Sequence, residues 1–476
     1  MKPVIYLQIA TIIVLGMQGE GAFAQESPSP TAKEAVAAPP VEANPPPTGP
    51  TSPTEKKMSS PKIITLQQAR ERAARTNMDF KNLRESIYQA EMSIYQAWSM
   101  LLPNLSANGS ITRNKNEVKV AIPIAQDQPP MEIVIQDLWS KTFGFSANLT
   151  LLNPRSIPLI KLAYDAADSQ RLQAQINRNE LLFAVTAAYY QTYSMKEMIS
   201  VAKENLAMAE EFLRHATALH EAGQGTKIDI NRGELQVLNA QKNLEDAVDA
   251  QTKAVTALKY LIHEEEDFDV EGPDAVVWKS DNLSAMQEDA IAHRLELKDA
   301  ALQRHMADLS RKETITKFLP TFDMNYAWSW ASAEGFTGSQ VNWMLIFGAK
   351  WEILNGGYNF VEYKNRQSQT RMADNQIEKI SRDLRQDVET KWIDVEQRKR
   401  NLTLADKEVE LSEDNHRLIS KQFEAGIISS LDVVNAANEL SNSKLLRVYK
   451  RLQFDLAVLT LRKAAGEYNS LAFEEK

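Results

Sequence analysis

After Pro103 the chain alternates Leu105, Ala107, Gly109 and Ile111 with Ser106, Asn108, Ser110 and Thr112, the two-residue period of a strand with one apolar face. A cleaner run follows, in which Phe143, Phe145, Ala147, Leu149 and Leu151 interleave with Thr142, Gly144, Ser146, Asn148 and Thr150 until Pro154 closes it. Directly after Pro320, Phe322, Met324, Tyr326, Trp328 and Trp330 alternate with Asp323, Asn325, Ala327 and Ser329. Trp343, Leu345, Phe347, Ala349, Trp351 and Ile353 make a fourth run. The pattern predicts strands over about 104–113, 141–152, 321–331 and 342–354. Runs of about nine to eleven residues suit a tilted strand crossing a bilayer, with Trp328, Trp330, Trp343 and Trp351 as an interfacial aromatic girdle. An antiparallel sheet packed on a soluble core uses the same alternation, so the period alone leaves both open.

Between the paired runs the period changes to that of a helix. Past Pro158 the chain has neither proline nor glycine as far as Glu221, nor from Tyr358 to Glu424. Each stretch predicts one helix of about 65 residues, over about 155–222 and 357–425, near 100 Å long at about 1.5 Å per residue. Ile199, Ala202, Leu206, Ala209, Leu213 and Ala216 keep coiled-coil spacing, and Val388, Val395, Leu402, Val409, His416 and Phe423 recur every seven residues. A second heptad row, Leu404, Leu411 and Leu418, lies about 200° around the same helix, which therefore needs neighbours on two sides. After each long helix a tight turn leads into another, over about 226–262 and 429–465, the last with Leu445, Tyr449, Leu452, Leu456 and Leu459 on one face.

The order of these patterns is written twice. Leu66, Leu102-Pro103 and Glu221-Ala222-Gly223 return as Leu283, Leu319-Pro320 and Glu424-Ala425-Gly426. The repeats span 63–262 and 283–466, separated by a polar segment, 263–282, and followed by a tail, 467–476. Each is a helix, two strands around a loop, a long helix, a turn and a final helix. Duplication on this scale predicts a pseudo-symmetric molecule.

Composition narrows what such a molecule does. The chain has 476 residues, 17 glycines, no cysteine and a net charge of -9, which excludes disulfides, thiolate metal sites and lipidation of an N-terminal cysteine, and argues against nucleic acid as a partner. Lys2, the largely apolar Val4 to Leu15 and Ala22-Phe23-Ala24 read as a signal peptide, 1–24, so the protein leaves the cytoplasm. A Pro-rich segment, 25–62, cannot bury enough apolar surface to order itself. No apolar run of membrane-helix length follows, so any membrane crossing falls to the strands. Four strands are too few to close a barrel, and open edges in lipid expose unpaired backbone groups. Oligomerisation is then required, and three copies give about twelve strands.

With these features the chain resembles the TolC-like outer membrane factor family over nearly everything from Ile63 to Gly466. The resemblance rests on Leu66-x-x-Ala69 with Asn77, the two Leu-Pro pairs, Trp351-Glu352-Ile353-Leu354-Asn355-Gly356-Gly357, and the two Glu-Ala-Gly turns followed by Ile228-Asp229 and Leu431-Asp432. It implies a mixed α and β membrane protein: a homotrimer whose twelve-stranded transmembrane β-barrel in outer membrane lipid continues as a long periplasmic α-helical barrel. It also implies the exit duct of a tripartite efflux pump or type I secretion system, working with a periplasmic adaptor protein and an inner-membrane transporter. By resemblance the polar segment is an equatorial belt, and the loops 114–140 and 332–340 face outside the cell. The first of these contains a candidate small hairpin, 118–124 with 131–135.

The same resemblance makes the turns at Ala222-Gly223 and Ala425-Gly426 a periplasmic tip for adaptor docking. Asp229 and Asp432 then flank the aperture, although helix capping accounts for them as well. Some relatives carry a basic residue and a tyrosine beside the second turn; Phe423 and Ile428 stand there here, which implies a more apolar closure. Catalytic chemistry is thin: His215 and His220 fall on different helix faces, His263 sits in an acidic run, and no nucleophile elbow, phosphate loop or zinc motif occurs. No enzyme activity, metal or cofactor is expected. The alternative is a periplasmic coiled-coil scaffold, or an adaptor, without a membrane-spanning barrel.

Overall fold

The computed structural model describes residues 62–122, 131–278, 282–333 and 339–467, all within the contact unit Ser60–Lys476. The expected signal peptide, nearly all of the Pro-rich segment, the tips of both loops, residues 279–281 and the tail beyond 467 lie outside those residues.

Each repeat opens with two helices where the sequence predicts one. In the first, α1 (Leu66–Thr76) starts at a capping box, Thr65 and Gln68 bonding each other's backbone N–H at 3.2 and 3.3 Å. It ends at Asn77, whose extended backbone breaks the helix and whose Oδ1 accepts the Asp79 N–H at 2.7 Å to start α2 (Met78–Ser99). The second repeat breaks likewise at Arg294, between α5 (Leu283–His293) and α6 (Leu295–Thr316). Both break residues also reach the end of a returning helix: Asn77 Nδ2 donates to the Leu261 carbonyl at 2.9 Å, and an Arg294 guanidinium N–H to that of Ala464 at 3.3 Å.

The strands form one antiparallel sheet of β2 (Asn104–Arg113), β5 (Trp139–Leu152), β7 (Thr321–Ala331) and β8 (Val341–Lys350), in the order β2-β5-β7-β8. A two-stranded hairpin, β3 (Val118–Ile122) with β4 (Met131–Gln136), stands in the first loop. The fourth strand stops at Lys350, short of the predicted 342–354. Its partner begins at Thr321, paired with Lys350, immediately after Pro320, which has no N–H to extend the ladder. Trp351 lies past the strand and donates its indole N–H to the Phe318 carbonyl at 3.0 Å.

From the sheet each repeat runs into a long helix: α3 (Ser156–Glu221), 66 residues, and α7 (Tyr358–Glu424), 67 residues. At about 1.5 Å per residue both are about 100 Å long. Pro158 falls in the first turn of α3, where its missing N–H removes no helical bond. Gly356 and Gly357 make the second sheet-to-helix turn at φ 67 and 83, left-handed values that favour glycine. The first copy uses Asn153 instead, its carbonyl accepting the Ser156 N–H at 3.0 Å and its side chain that of Arg155 at 3.1 Å. The chain returns through α4 (Lys227–Ile262) and α8 (Ser430–Ala464), and the long helices pack on these and on α2 and α6.

Two matching cores sit midway along the helices. In the first, Leu182, Val185 and Tyr189 of α3 meet Leu258 and Ile262 of α4, Ala69 and Ala73 of α1, and the parallel pair of β1 (Lys62–Ile64) with β6 (Phe268–Val270). In the second, Val388 and Val395 of α7 meet Val458 and Leu461 of α8 and Met286 and Ala290 of α5. The duplicated sequence thus builds duplicated packing, with β1 and β6 as an addition to the first copy.

Candidate functional site

Alternating residues become continuous rows once the strands are in register. Ala107, Phe145, Trp328 and Trp343 lie side by side across the four strands, flanked by the rows Leu105, Ala147, Tyr326, Leu345 and Gly109, Phe143, Trp330, Val341. Phe143 meets Trp328 edge to face, ring centroids 6.1 Å apart, and Tyr326 leans on Trp343 at 6.5 Å. Trp343 and Trp351 are 65% and 59% exposed, large apolar surface with no cover in the single chain. The opposite face is mostly polar across β2, β5 and β7, whereas β8 puts Met344 and Ile346 on it, opposite Ala327 and Asn325. Ser106 bonds Ser146 at 2.7 Å, Ser110 bonds Thr142 at 2.8 Å, and Asn325 donates to Asn148. Among the described residues β2 and β8 each pair with one strand only, leaving a free edge on both sides of the sheet.

At the far end of the long helices the two turns are built alike. Ala222 and Ala425 end their helices, and Gly223 and Gly426 follow at φ 74 and 71. The Gly223 N–H donates to His220 O at 2.9 Å and Gln224 N–H to Leu219 O at 2.9 Å; in the second copy Gly426 N–H donates to Phe423 O at 2.8 Å and Ile427 N–H to Gln422 O at 2.9 Å. This is the Schellman pattern, which satisfies the last carbonyls of each helix. Each returning helix then starts with a capping box, Thr226 with Asp229 and Ser429 with Asp432.

The two aspartates differ in what they do beyond capping. Asp229 Oδ2 accepts the Thr226 N–H at 3.0 Å and hydroxyl at 2.7 Å, and its Oδ1 takes the hydroxyl of Ser430 from the other repeat. Arg232 donates to that same Ser430 oxygen at 3.0 Å, and Gln236 to Asn438 at 2.8 Å, so α4 and α8 are laced together just behind the turns. Burial raises the Asp229 pKa, but the bonds from Ser430 and Thr226 outweigh it and hold the carboxyl below its ordinary value. Asp432 Oδ2 accepts the Ser429 N–H at 3.2 Å and hydroxyl at 2.7 Å. Its Oδ1 has no bond among the described residues, and the side chain is exposed.

Phe423 lies inside the protein. It is buried with Phe212 and Val433, its ring 5.6 Å from that of Phe212, and Ile428 packs against the same cluster. These apolar side chains join α3, α7 and α8. The heptad row ending at Phe423 is the legible signal for that burial. Nothing in the sequence announces the cross-repeat partners Ser430 and Asn438, because a serine at a helix start is an ordinary cap and an asparagine further along a helix reads as a solvated side chain.

Among the described residues no group of three His, Asp or Glu side chains is arranged to hold a metal ion. His220 Nδ1 lies 3.0 Å from the Gly225 carbonyl and His215 Nε2 3.9 Å from Glu211. His263 ends α4 at φ 52, an uncommon left-handed conformation for a residue other than glycine.

Residues 66–262 and 287–467 match the family model described as outer membrane efflux protein. Among solved structures, a membrane protein from Pseudomonas aeruginosa is similar at 16% identity and TM-score 0.68, covering 88% of this chain and 99% of its own. The open state of the MtrE outer membrane channel of Neisseria gonorrhoeae is similar at 19% identity and TM-score 0.65, covering 84% and 88%. The outer membrane protein VceC of Vibrio cholerae is similar at 13% identity and TM-score 0.66, covering 84% and 96%. No curated protein sequence matches the chain.

Proposed function

Because the chain belongs to the outer membrane efflux protein family, whose members are channels rather than enzymes, we propose that it is the outer membrane exit duct of a tripartite efflux pump or type I secretion system. The protein resides in the outer membrane and extends a large helical part into the periplasm. In the proposed assembly three copies close a twelve-stranded barrel, their long helices forming a periplasmic conduit fed by an adaptor protein and an inner-membrane transporter.

The observation that carries this reading is the two-faced sheet with two free edges. β2 and β8 run in opposite directions, so β8 of one copy continues antiparallel onto β2 of the next, and a third copy closes the ring with no edge left in lipid. The apolar rows then face lipid, and the serine and asparagine rows, with Met344 and Ile346 of β8 among them, face a water-filled lumen. From Val341, opposite Trp330, to Trp351 is about 33 Å along the strand at about 3.3 Å per residue. Tilted by about 40°, that rises about 25 Å, the height of an outer-membrane apolar band. Trp330 and Trp351 mark its two rims, with Trp328 and Trp343 just inside the outer one.

At the periplasmic end, Gly223, Gly426, Ala222 and Ala425 are the proposed adaptor contacts, and Asp229 and Asp432 the flank of the aperture. Phe423 and Ile428 support that flank from behind, as the packing beneath the turns. A soluble scaffold or adaptor would have no use for rows of exposed Trp, Phe and Leu on one sheet face.

Reconstitution into planar bilayers tests the reading. Purified protein should give discrete conductance steps, and variants retaining only Trp343 should be quenched by brominated lipid while those retaining only Trp278 are not. A monomer that neither conducts nor is quenched overturns it.

A further inference from the structure

The internal symmetry of the chain specifies how neighbouring copies meet at the tip. This inference rests on the trimeric reading above. Within one chain, the first repeat meets the second where α8 packs on α3 and, at its start, on α4, and there Ser430, Ala437 and Ser441 are 2%, 8% and 6% exposed. In the duplicated register these correspond to Lys227, Glu234 and Leu238 of α4, which are all exposed, Leu238 at 61%. The other side of the junction behaves the same way. Val201 and Met208 of α3 are partly covered, whereas their counterparts on α7, Leu404 and Leu411, are 68% and 61% exposed. Each chain therefore contains one completed junction and the two unpaired halves of a second. In a closed ring of duplicated chains, the second repeat of one copy must meet the first repeat of the next.

The completed junction identifies the contact. Asp229 Oδ1 engages the first residue of α8, Ser430, while Oδ2 serves the cap. Asp432 corresponds to Asp229, with Oδ2 occupied by its own cap and Oδ1 unbonded. The first residue of α4, corresponding to Ser430, is Lys227, exposed and without an ion pair among the described residues.

We infer that Asp432 of one copy binds Lys227 of the neighbouring copy through that free Oδ1. The tip then carries two chemically different clasps in alternation. Inside each chain the carboxylate meets a hydroxyl buttressed by Arg232; between chains it meets an ammonium at the surface, which salt screens. The apolar rows of α7 and α4, Leu404 and Leu411 with Leu238, close the same seam higher up.

The chain has no cysteine, so cysteine pairs introduced into it report without background. Oxidation of K227C/D432C in outer membranes should convert monomer bands to covalent trimer on denaturing gels. Because D432C also removes a cap, wild-type trimer is treated in parallel with a zero-length carbodiimide, using mixed isotope-labelled copies. An interchain Lys227–Asp432 peptide is expected. K227D and D432K alone should each raise tip-limited conductance by up to about fivefold, as for an exposed ion pair, and the exchange K227D/D432K should bring it below that of D432K alone although the cap stays lost. Trimers that yield neither cross-link overturn the inference and leave the duct reading standing. Absence of trimers in detergent overturns the reading itself.

Discussion

Replacing Phe423 by alanine separates two roles for this residue, packing inside the tip or lining the duct. The ring is 9% exposed and meets Phe212 at 5.6 Å with the planes tilted by 44°, Val433 completing the cluster. Truncating a buried phenylalanine costs about 3–5 kcal/mol. About 0.5–1.5 kcal/mol is expected for the ring pair beyond its area. At about 1.4 kcal/mol per tenfold, amides of the last turns of α3 and α7 and the first turns of α8 should exchange with deuterium two to three and a half powers of ten faster, capped by the opening energy of the tip. Amides around Val388, about 50 Å along the same helix, should be unaffected. F212A should act alike, and the pair should be less than additive by about 1 kcal/mol. Unchanged tip exchange in F423A, together with altered conductance, would place the ring in the duct and refute the packing argument.

The remaining predictions concern caps, charges and the core of the first repeat. Gly223→Ala and Gly426→Ala add a Cβ that meets nothing within 4 Å, so each should cost only the left-handed backbone penalty of about 1–2 kcal/mol, read as faster tip exchange with the trimer retained. Asp308 is held down to about 2 from 3.8, first by the bond from Lys312 and then by Arg311, with burial opposing both. Its lowered pKa makes its stabilisation complete above 3.8 and lost as pH falls through about 2, so Asp308→Asn should flatten the melting temperature against pH in that window. Tyr189, pushed up to about 12 by burial, keeps its proton and lies 2.9 Å from Ile64 O and 2.8 Å from Glu271 O. Tyr189→Phe removes the one proton shared between these carbonyls, leaving Ile64 O only the Glu271 N–H at 3.4 Å, and should lower stability by about 1–2 kcal/mol in denaturant titrations and loosen the β1–β6 pair first.

Periodicity along the chain determined a great deal. Strand alternation from Leu105 onward, the long stretches free of proline and glycine, and the returning Glu-Ala-Gly turns are local signals, since side-chain direction follows backbone geometry over a few residues. The two-helix start of each repeat was only half legible: Asn77 before Asp79 is a cap signal, but Arg294 breaks its helix without a side-chain cap of its own. The end of β8 was not legible, because the apolar alternation continues through Trp351 and Ile353 while the ladder stops where the partner strand meets Pro320. Phe423 shows the same limit. By resemblance it stands beside the aperture, but its packing depends on Phe212, 5.6 Å away on another long helix. Asp229 and Asp432 hold the same place in their capping boxes, yet one reaches Ser430 and the other keeps a free oxygen. Only the tertiary structure separates them, because a cap is a matter of three neighbouring residues, whereas a clasp depends on which helix the fold lays alongside.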